Sequence, residues 1–419
     1  MRQIVILGGG TGGTLSANRL RRALDKDEVA ITVVDQDDVH IYQPGLLFVP
    51  FGLTHAEDIA RPRNRQLHEG IELITAGLER VDLEAERVIL ADGSSLPYDV
   101  LIVATGAVLA PEETEGLTGE GWGSRVFTFY DLAGATGLAT ALETFTGGRL
   151  VVNTIEMPIK CPVAPLEFCF LADWYFTQRG IREAVDLTYV TPLDAAFTKP
   201  IAAKRLGGML AERGIELVTE FNTAVVDGSR GALVSYDERE VPFDLAAVIP
   251  VHNGAPAICA SAGLGDALGF VEVDPHSLQS LAAPNVFALG DAAGVPTSKA
   301  GSVTHFEGEV LVANVISFLE GAPLHAHYDG HANCFIETGF QKAMLIDFNY
   351  DVEPAPGHFP HSVGLPLMKE SRLNHLGKLM FQWVYWHSLL PGRDIPGIHS
   401  AMPLAGKPPQ DGADKERAS

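Results

Sequence analysis

The chain opens on an apolar run, residues 3–7, that passes directly into Gly8-Gly9-Gly10-Thr11-Gly12-Gly13. An uninterrupted apolar run of this length is the pattern of a parallel strand covered on both faces. Gly8, Gly10 and Gly13 form G-x-G-x-x-G, and each glycine has a separate physical task. Gly8 permits the tight turn, Gly10 lets the backbone approach a pyrophosphate, and Gly13 lets the following helix pack closely on the strand. The spacing predicts a helix over 14–23 and a second apolar strand over 30–34, ending at Asp35. An acidic residue there can accept the ribose hydroxyls of a dinucleotide. A βαβ unit with a phosphate loop therefore begins the chain, and the N-terminus of its helix faces an anion.

The pattern returns. Short strands are expected at 71–75, 87–90 and 100–104, the last stopping at Thr105-Gly106. A second βαβ unit reads as a strand over 149–154, a helix over 165–178 and a strand over 186–190. The chain then comes back to the first unit with a strand over 286–289, Gly290-Asp291 and a long helix over 302–319. The fold class is α/β, with two Rossmann-like dinucleotide-binding domains and a C-terminal region carrying an amphipathic helix. The expected division is 1–110 with 275–325, 111–274, and 326–404, followed by a flexible tail over 405–419 with little that could pack. A chain of 419 residues accommodates two or three such units.

The formal net charge of −23 excludes a nucleic-acid partner, since phosphate binding needs clustered Lys and Arg. No run of about 18 apolar residues occurs, so no spanning helix is expected. Met1 leads straight into a strand, so no secretory leader is expected either. A cytoplasmic chain with four cysteines suggests redox chemistry before a structural disulfide framework.

Ala104-Thr105-Gly106 and Ala288-Leu289-Gly290-Asp291 resemble the two further fingerprints of the two-dinucleotide-binding-domain flavoproteins. That resemblance implies FAD, with Asp291 on its ribityl chain and the next helix directed at the flavin. Lys299 precedes this helix; it either adds positive charge there or is a solvated loop lysine. The second unit has no glycine fingerprint. Its loop reads Asn153-Thr154-Ile155-Glu156-Met157-Pro158-Ile159-Lys160-Cys161-Pro162, and its second strand ends without an acidic residue. Proline removes backbone donors that would cradle a pyrophosphate, so NADH is not expected to bind here.

Cys161 lies in that loop just before a helix, where a lowered thiol pKa is expected. Cys334 lies in Asn333-Cys334-Phe335-Ile336-Glu337-Thr338-Gly339, while Cys169 and Cys259 read as inert buried thiols. Lys160-Cys161-Pro162-Val163-Ala164-Pro165, Cys334 with Gly339, and Tyr42-Gln43-Pro44-Gly45 together resemble the sulfide:quinone oxidoreductase and flavocytochrome c sulfide dehydrogenase family, over roughly residues 1–395. The resemblance implies a Cys161–Cys334 redox pair, sulfide as donor, and quinone as acceptor. It places Gln43 near the flavin. No cysteine precedes Cys161 and none lies in 107–160. A thioether near Gln43 is thereby excluded, FAD is expected to be non-covalent, and the two-cysteine mechanism is the one to expect. Glu167 either moves protons beside Cys161 or is an exposed helix glutamate. The alternatives are a type II NADH:quinone dehydrogenase on the same scaffold and a flavin-binding protein without turnover.

Leu373, Leu376, Met380, Trp383, His387 and Leu390 recur at spacings of three and four, widened by Phe381, Tyr385, Trp386 and Leu389. Such a stripe is a core helix or an interfacial one. The family resemblance favours a peripheral helix at the cytoplasmic side of a membrane, with Lys369, Arg372, Lys378 and Arg393 facing anionic lipid. Truncation before Pro366 is then expected to spare flavin reduction by sulfide. A homo-oligomer is left open.

Overall fold

The computed structural model describes residues 1–395 and 397–407. In chain order its principal elements begin with β1 (Arg2–Leu7), α1 (Thr11–Ala23), β2 (Val29–Asp35), β3 (Ile71–Thr75) and β4 (Val100–Val103). Next come β5 (Val126–Phe127), α2 (Leu132–Thr144), β6 (Gly148–Thr154), α3 (Ala164–Gln178), β7 (Val185–Val190), α4 (Pro200–Glu212), β8 (Ile215–Val218) and β9 (Leu245–Ile249). The chain continues through β10 (Val286–Ala288), α5 (Gly301–Leu319), β11 (Ala332–Gly339), β12 (Lys342–Phe348), β13 (Gly357–Pro360), β14 (Gly364–Leu367) and α6 (Arg372–Val384).

Two five-stranded parallel sheets carry the fold, ordered β10-β4-β1-β2-β3 and β5-β9-β6-β7-β8. Their central strands are apolar because both faces are covered. All four residues of β4 and all five of β9 are buried. The first sheet joins strands from the start of the chain to β10, far along it, so the phosphate loop after β1 and the Gly290-Asp291 turn after β10 open at the same sheet edge. Ligands of such sheets bind beyond the carboxyl ends of the strands.

Among the described residues, three larger antiparallel or mixed sheets and two two-stranded ones complete the fold. Leu78–Asp82, Arg87–Leu90 and Ser95–Pro97 form one, and Thr223–Asp227, Ala232–Ser235 and Glu240–Pro242 form another. The third, β11-β12-β14-β13, supports α6 and sets Cys334 opposite Ile346. After α6 the chain makes one π-helical turn, Tyr385–Leu389, whose Tyr385, Trp386 and Leu389 are buried.

Of the tail from Ala405, expected to hold little that could pack, the described residues do make contacts. Lys407 is buried and pairs with Asp347, itself fully buried, and the Gly406 carbonyl accepts from the His358 amide at 3.2 Å. Residues 408–419 of the expected flexible tail lie outside the described residues. No helix among the described residues is long and apolar enough to cross a membrane.

Candidate active site

A cavity of about 400 Å³ opens where the first sheet, the loop before α3, the start of α5 and the inner face of α6 meet. Its lining includes Gly8, Gly10, Asp35, Gln43, Thr105, Gly106, Gly290, Asp291 and Lys299, and also Cys161 and Glu167. From 153–163 only Lys160 and Cys161 reach it. Asn153, near the end of β6, is buried and bonds Thr223 at 3.1 Å.

The glycines are explained by what surrounds them. Gly8 has φ +92°, and a Cβ there would stand 2.4 Å from the Ala104 carbonyl oxygen. A Cβ on Gly13 would lie 1.8 Å from the Gly8 oxygen, which is why α1 can close on β1 only through glycine. Gly10, Gly106 and Gly301 behave differently: a Cβ on any of them would meet no protein atom within 4 Å. Gly10 and Gly301 begin helices without a side-chain cap and without acidic residues in the first turn. Two uncapped helix N-termini thus open on the cavity with free space over their first glycines, which fits the anionic pyrophosphate and the electron-rich edge of a flavin dinucleotide.

Asp35 is held rather than free. Its Oδ2 accepts from the Gly9 amide at 2.7 Å and from Arg63 at 2.7 Å. Arg63 is buried, also contacts Asp37 and the Val39 carbonyl, and lines the cavity; the sequence carries no local signal for it. Tyr385 reaches back from the end of the chain, with its hydroxyl 2.7 Å from both Thr11 Oγ1 and His40 Nε2. His40 Nδ1 is 3.1 Å from the Gly9 carbonyl oxygen, so both ring nitrogens are engaged. Burial, reinforced by Arg63, pushes His40 down to about 4 and keeps it neutral.

Lys299 is buried, not solvated. Its Nζ donates to the carbonyls of Asp291 at 2.7 Å and Ala293 at 3.1 Å and lies 4.2 Å from the Phe270 ring centroid. It braces the Asp291 turn, and its charge opposes the upward push that burial gives the Asp291 carboxyl. Glu307, on α5, accepts the Gly290 amide at 2.6 Å and is lifted by burial to about 7. Gln43, on the exposed rim, accepts from Lys160 at 3.3 Å.

Cys161 sits at the seam of the two Rossmann units. Its amide donates to the Lys299 carbonyl at 2.6 Å, its carbonyl accepts from Ala164 and from the Tyr130 hydroxyl, and its φ is +50°. No disulfide involves any of the four cysteines. The lowered thiol pKa expected at a helix N-terminus is corrected. Burial pushes Cys161 up to about 12, with the Glu167 charge adding to it; Lys378 and the Ala164 amide offset only part. Desolvation outweighs a helix terminus because only one amide bonds to the thiol. Cys334 is buried and pushed up first by burial and then by Cys161, so the two sulfurs are electrostatic neighbours. Cys169 is buried in α3, whereas Cys259 is exposed, against the buried reading of it.

Glu167 is buried, not an exposed helix residue. Lys378 donates to its Oε1, as does the Glu337 amide at 2.6 Å. Lys378 was expected on the surface among the basic residues; it turns inward and lines the cavity. The outer face of α6 keeps Leu373, Leu376, Leu379, Met380 and Trp383 exposed, from 51% to 61%. Leu390, counted in the same stripe, is buried. Tyr385, Trp386 and Leu389 form the opposite, core-facing side.

Residues 2–152 match the family model described as pyridine nucleotide-disulphide oxidoreductase. The chain is 29% identical over 397 residues to the mitochondrial sulfide:quinone oxidoreductase of Dictyostelium discoideum, covering 93% of this chain and 86% of that one. A type II NADH:quinone oxidoreductase of Mycobacterium tuberculosis, NdhA, is 35% identical, but over 111 residues and 25% of this chain. The crystal structure of the sulfide:quinone oxidoreductase of Aquifex aeolicus superposes with a TM-score of 0.81 at 20% identity, covering 94% of this chain and 92% of that one. Over nearly its whole length the chain is similar to the sulfide:quinone oxidoreductases, and it has the fold of the two-dinucleotide-binding flavoproteins.

Proposed function

We propose that the protein is an FAD-dependent sulfide:quinone oxidoreductase working through Cys161 and Cys334. The observation that carries this is that Cys161 lines a dinucleotide cavity with Glu167 and Lys378, and that Lys378 bonds both Glu167 and the carbonyl of Phe335, the residue after Cys334. In the oxidised pair, hydrosulfide attacks one sulfur of the bridge; the S–S bond breaks, one cysteine becomes a persulfide and the other leaves as a thiolate. Bound FAD supplies a two-electron acceptor for the sulfur centre and a donor to quinone. Glu167, a carboxylate paired with Lys378, stands beside Cys161 as a proton acceptor. Lys378 pulls the thiol toward thiolate. Asp35, Arg63 and the α1 terminus are suited to the ribose and pyrophosphate, and Asp291 with the α5 terminus to the flavin end.

FAD is held without a covalent bond in this reading. Support comes from the absence of cysteine before Cys161 and from His40, whose two nitrogens are already hydrogen-bonded. Acid precipitation is expected to release FAD into the supernatant; yellow colour kept by the washed pellet would contradict this. The exposed apolar face of α6 supports peripheral attachment to a membrane surface, where quinone dissolves.

The decisive test is anaerobic flavin spectroscopy with the two donors in parallel. Sulfide is expected to bleach the flavin band within the mixing experiment, and NADH to leave it unchanged. Fast bleaching by NADH and none by sulfide would refute the reading.

A further inference from the structure

The proposed conversion, HS⁻ + quinone + H⁺ → S⁰ + quinol, moves two electrons from sulfur to quinone. The hydrosulfide proton supplies one hydrogen of the quinol, and one more proton enters from solvent in each turnover. That proton has to reach a cavity to which α6 contributes Lys378, and the exposed face of α6 is apolar. The inner face of the same helix carries His375 and Lys378, three residues apart and therefore stacked along one side.

Both contact β11 beside Cys334. His375 Nδ1 is 2.8 Å from Glu337 Oε2, and the Glu337 carboxylate is 2% exposed while the imidazole keeps 20%. Lys378 Nζ bonds Glu167 and the Phe335 carbonyl, the latter at 3.1 Å. The Glu337 amide donates to the same Glu167 oxygen that Lys378 holds. Glu337 Oε1 accepts from the Gly339 amide at 3.2 Å. Glu167 and Lys378 line the cavity; Glu337 and His375 do not. The charges flanking this row on the solvent side are Arg213, bonded to the Thr338 carbonyl at 2.6 Å, and its partner Glu370 at 2.8 Å.

We propose that His375 and Glu337 are the proton route from solvent to the Glu167–Lys378 pair at the cavity wall. A carboxylate buried only for stability is better matched by arginine, which is always charged. Imidazole is the partner that gains and loses a proton near neutral pH, and here it bridges the solvent edge and a fully buried acid. The route rests on the quinone-reductase reading and adds to it two residues outside the cavity lining.

The test uses full-length, FAD-loaded protein reduced with dithionite, so that it reads the route whichever donor is physiological. Reoxidation by a short-chain ubiquinone analogue is followed by flavin absorbance, and proton uptake by a pH-indicator dye in weak buffer. His375→Ala and Glu337→Gln are expected to slow both signals together by about 10- to 100-fold, within the range for removing one proton-transfer group. Added imidazole should restore His375→Ala, and the solvent deuterium isotope effect should rise in both variants. Wild-type proton uptake in both variants overturns the route. So does slowed reoxidation that imidazole leaves unrestored with an unchanged isotope effect, because that is loss of positioning alone. A wild-type protein that quinone fails to reoxidise overturns the quinone reading and this route with it, whereas rapid wild-type reoxidation with normal variants removes the route only.

Discussion

A thiol held at about 12 is a poor nucleophile at neutral pH, so the charges around Cys161 decide its reactivity. Glu167 and Lys378 act on it with opposite signs. Replacing Glu167 by Gln removes the negative charge that raises the thiol and leaves the Lys378 ammonium to favour thiolate. The Cys161 pKa is therefore expected to fall, and alkylation of the apoprotein by iodoacetamide at pH 8 to speed up; slower alkylation would show that the ion pair screens the thiol differently. The variant also leaves a buried cation unpaired, a cost of about 3–5 kcal/mol. Among the cysteines the contrast should be sharp. Cys161→Ser and Cys334→Ser are expected to bind FAD and fail to be bleached by sulfide, since a hydroxyl holds no persulfide. Cys169→Ser should lose about 1–3 kcal/mol of stability by burying an unpaired hydroxyl, and Cys259→Ser, at an exposed site, almost nothing. Loss of bleaching in Cys259→Ser with normal Cys161→Ser would reverse the assignment.

At the scale of elements, α6 has two unlike faces, and truncation before Pro366 does not separate them. The deletion would remove Lys378 and Tyr385 from the cavity wall along with the apolar stripe, so the expectation that it spares flavin reduction is withdrawn. Point substitutions make the distinction. Leu376→Gln with Met380→Gln should weaken binding to anionic vesicles by tenfold or more, since each inserted side chain contributes about 1.5–3 kcal/mol, with little change in Tm. Trp386→Ala should do the reverse, costing about 3–5 kcal/mol of stability; unchanged vesicle sedimentation of the first variant would make the exposed stripe irrelevant to membranes. The two faces were not separable in the sequence because a three-and-four spacing marks a stripe without saying where a long lysine side chain ends. The partner of Lys378 is 211 residues away. Elements with continuous apolar runs and glycine boundaries were legible to within a few residues: β1 extends 3–7 by one residue, and α5 starts one residue before 302. The sheets at 78–97, 223–242 and 332–367 were largely missed, apart from Arg87–Leu90. The strands of the first two sheets are short and most mix buried with less buried positions, as the pattern of Leu78–Asp82 shows; Ala332–Gly339 and Lys342–Phe348 are longer and mostly buried.

For the molecule as a whole, the same burial that builds the core leaves ionisable groups in states that pH will test. His40 is held near 4, and His252 and His305 near 3, each chiefly by desolvation. These folded-state values lie below the ordinary 6.5, so as pH falls the unfolded chain takes up protons first. The contribution is fully present above about 6.5 and is lost progressively toward pH 4 and below. One unit of difference is worth about 1.4 kcal/mol, which makes His305 alone responsible for about 3 kcal/mol by pH 4. Glu307 works in the opposite sense: raised to about 7, it favours the folded state below its ordinary carboxylate range and loses that contribution as pH rises to 7. Glu167 and Asp291, also raised by burial, act in the same sense as Glu307, so the histidine contribution is read from a histidine variant set beside the wild type rather than from the wild-type Tm alone. His305 is the cleanest probe, being 2% exposed, on α5, and absent from the cavity lining. His305→Gln keeps most of the volume and cannot protonate, so its Tm should fall less steeply over that interval than the wild type's. Parallel curves for the two proteins would mean that His305 titrates alike folded and unfolded, and the acid sensitivity would then belong to other groups.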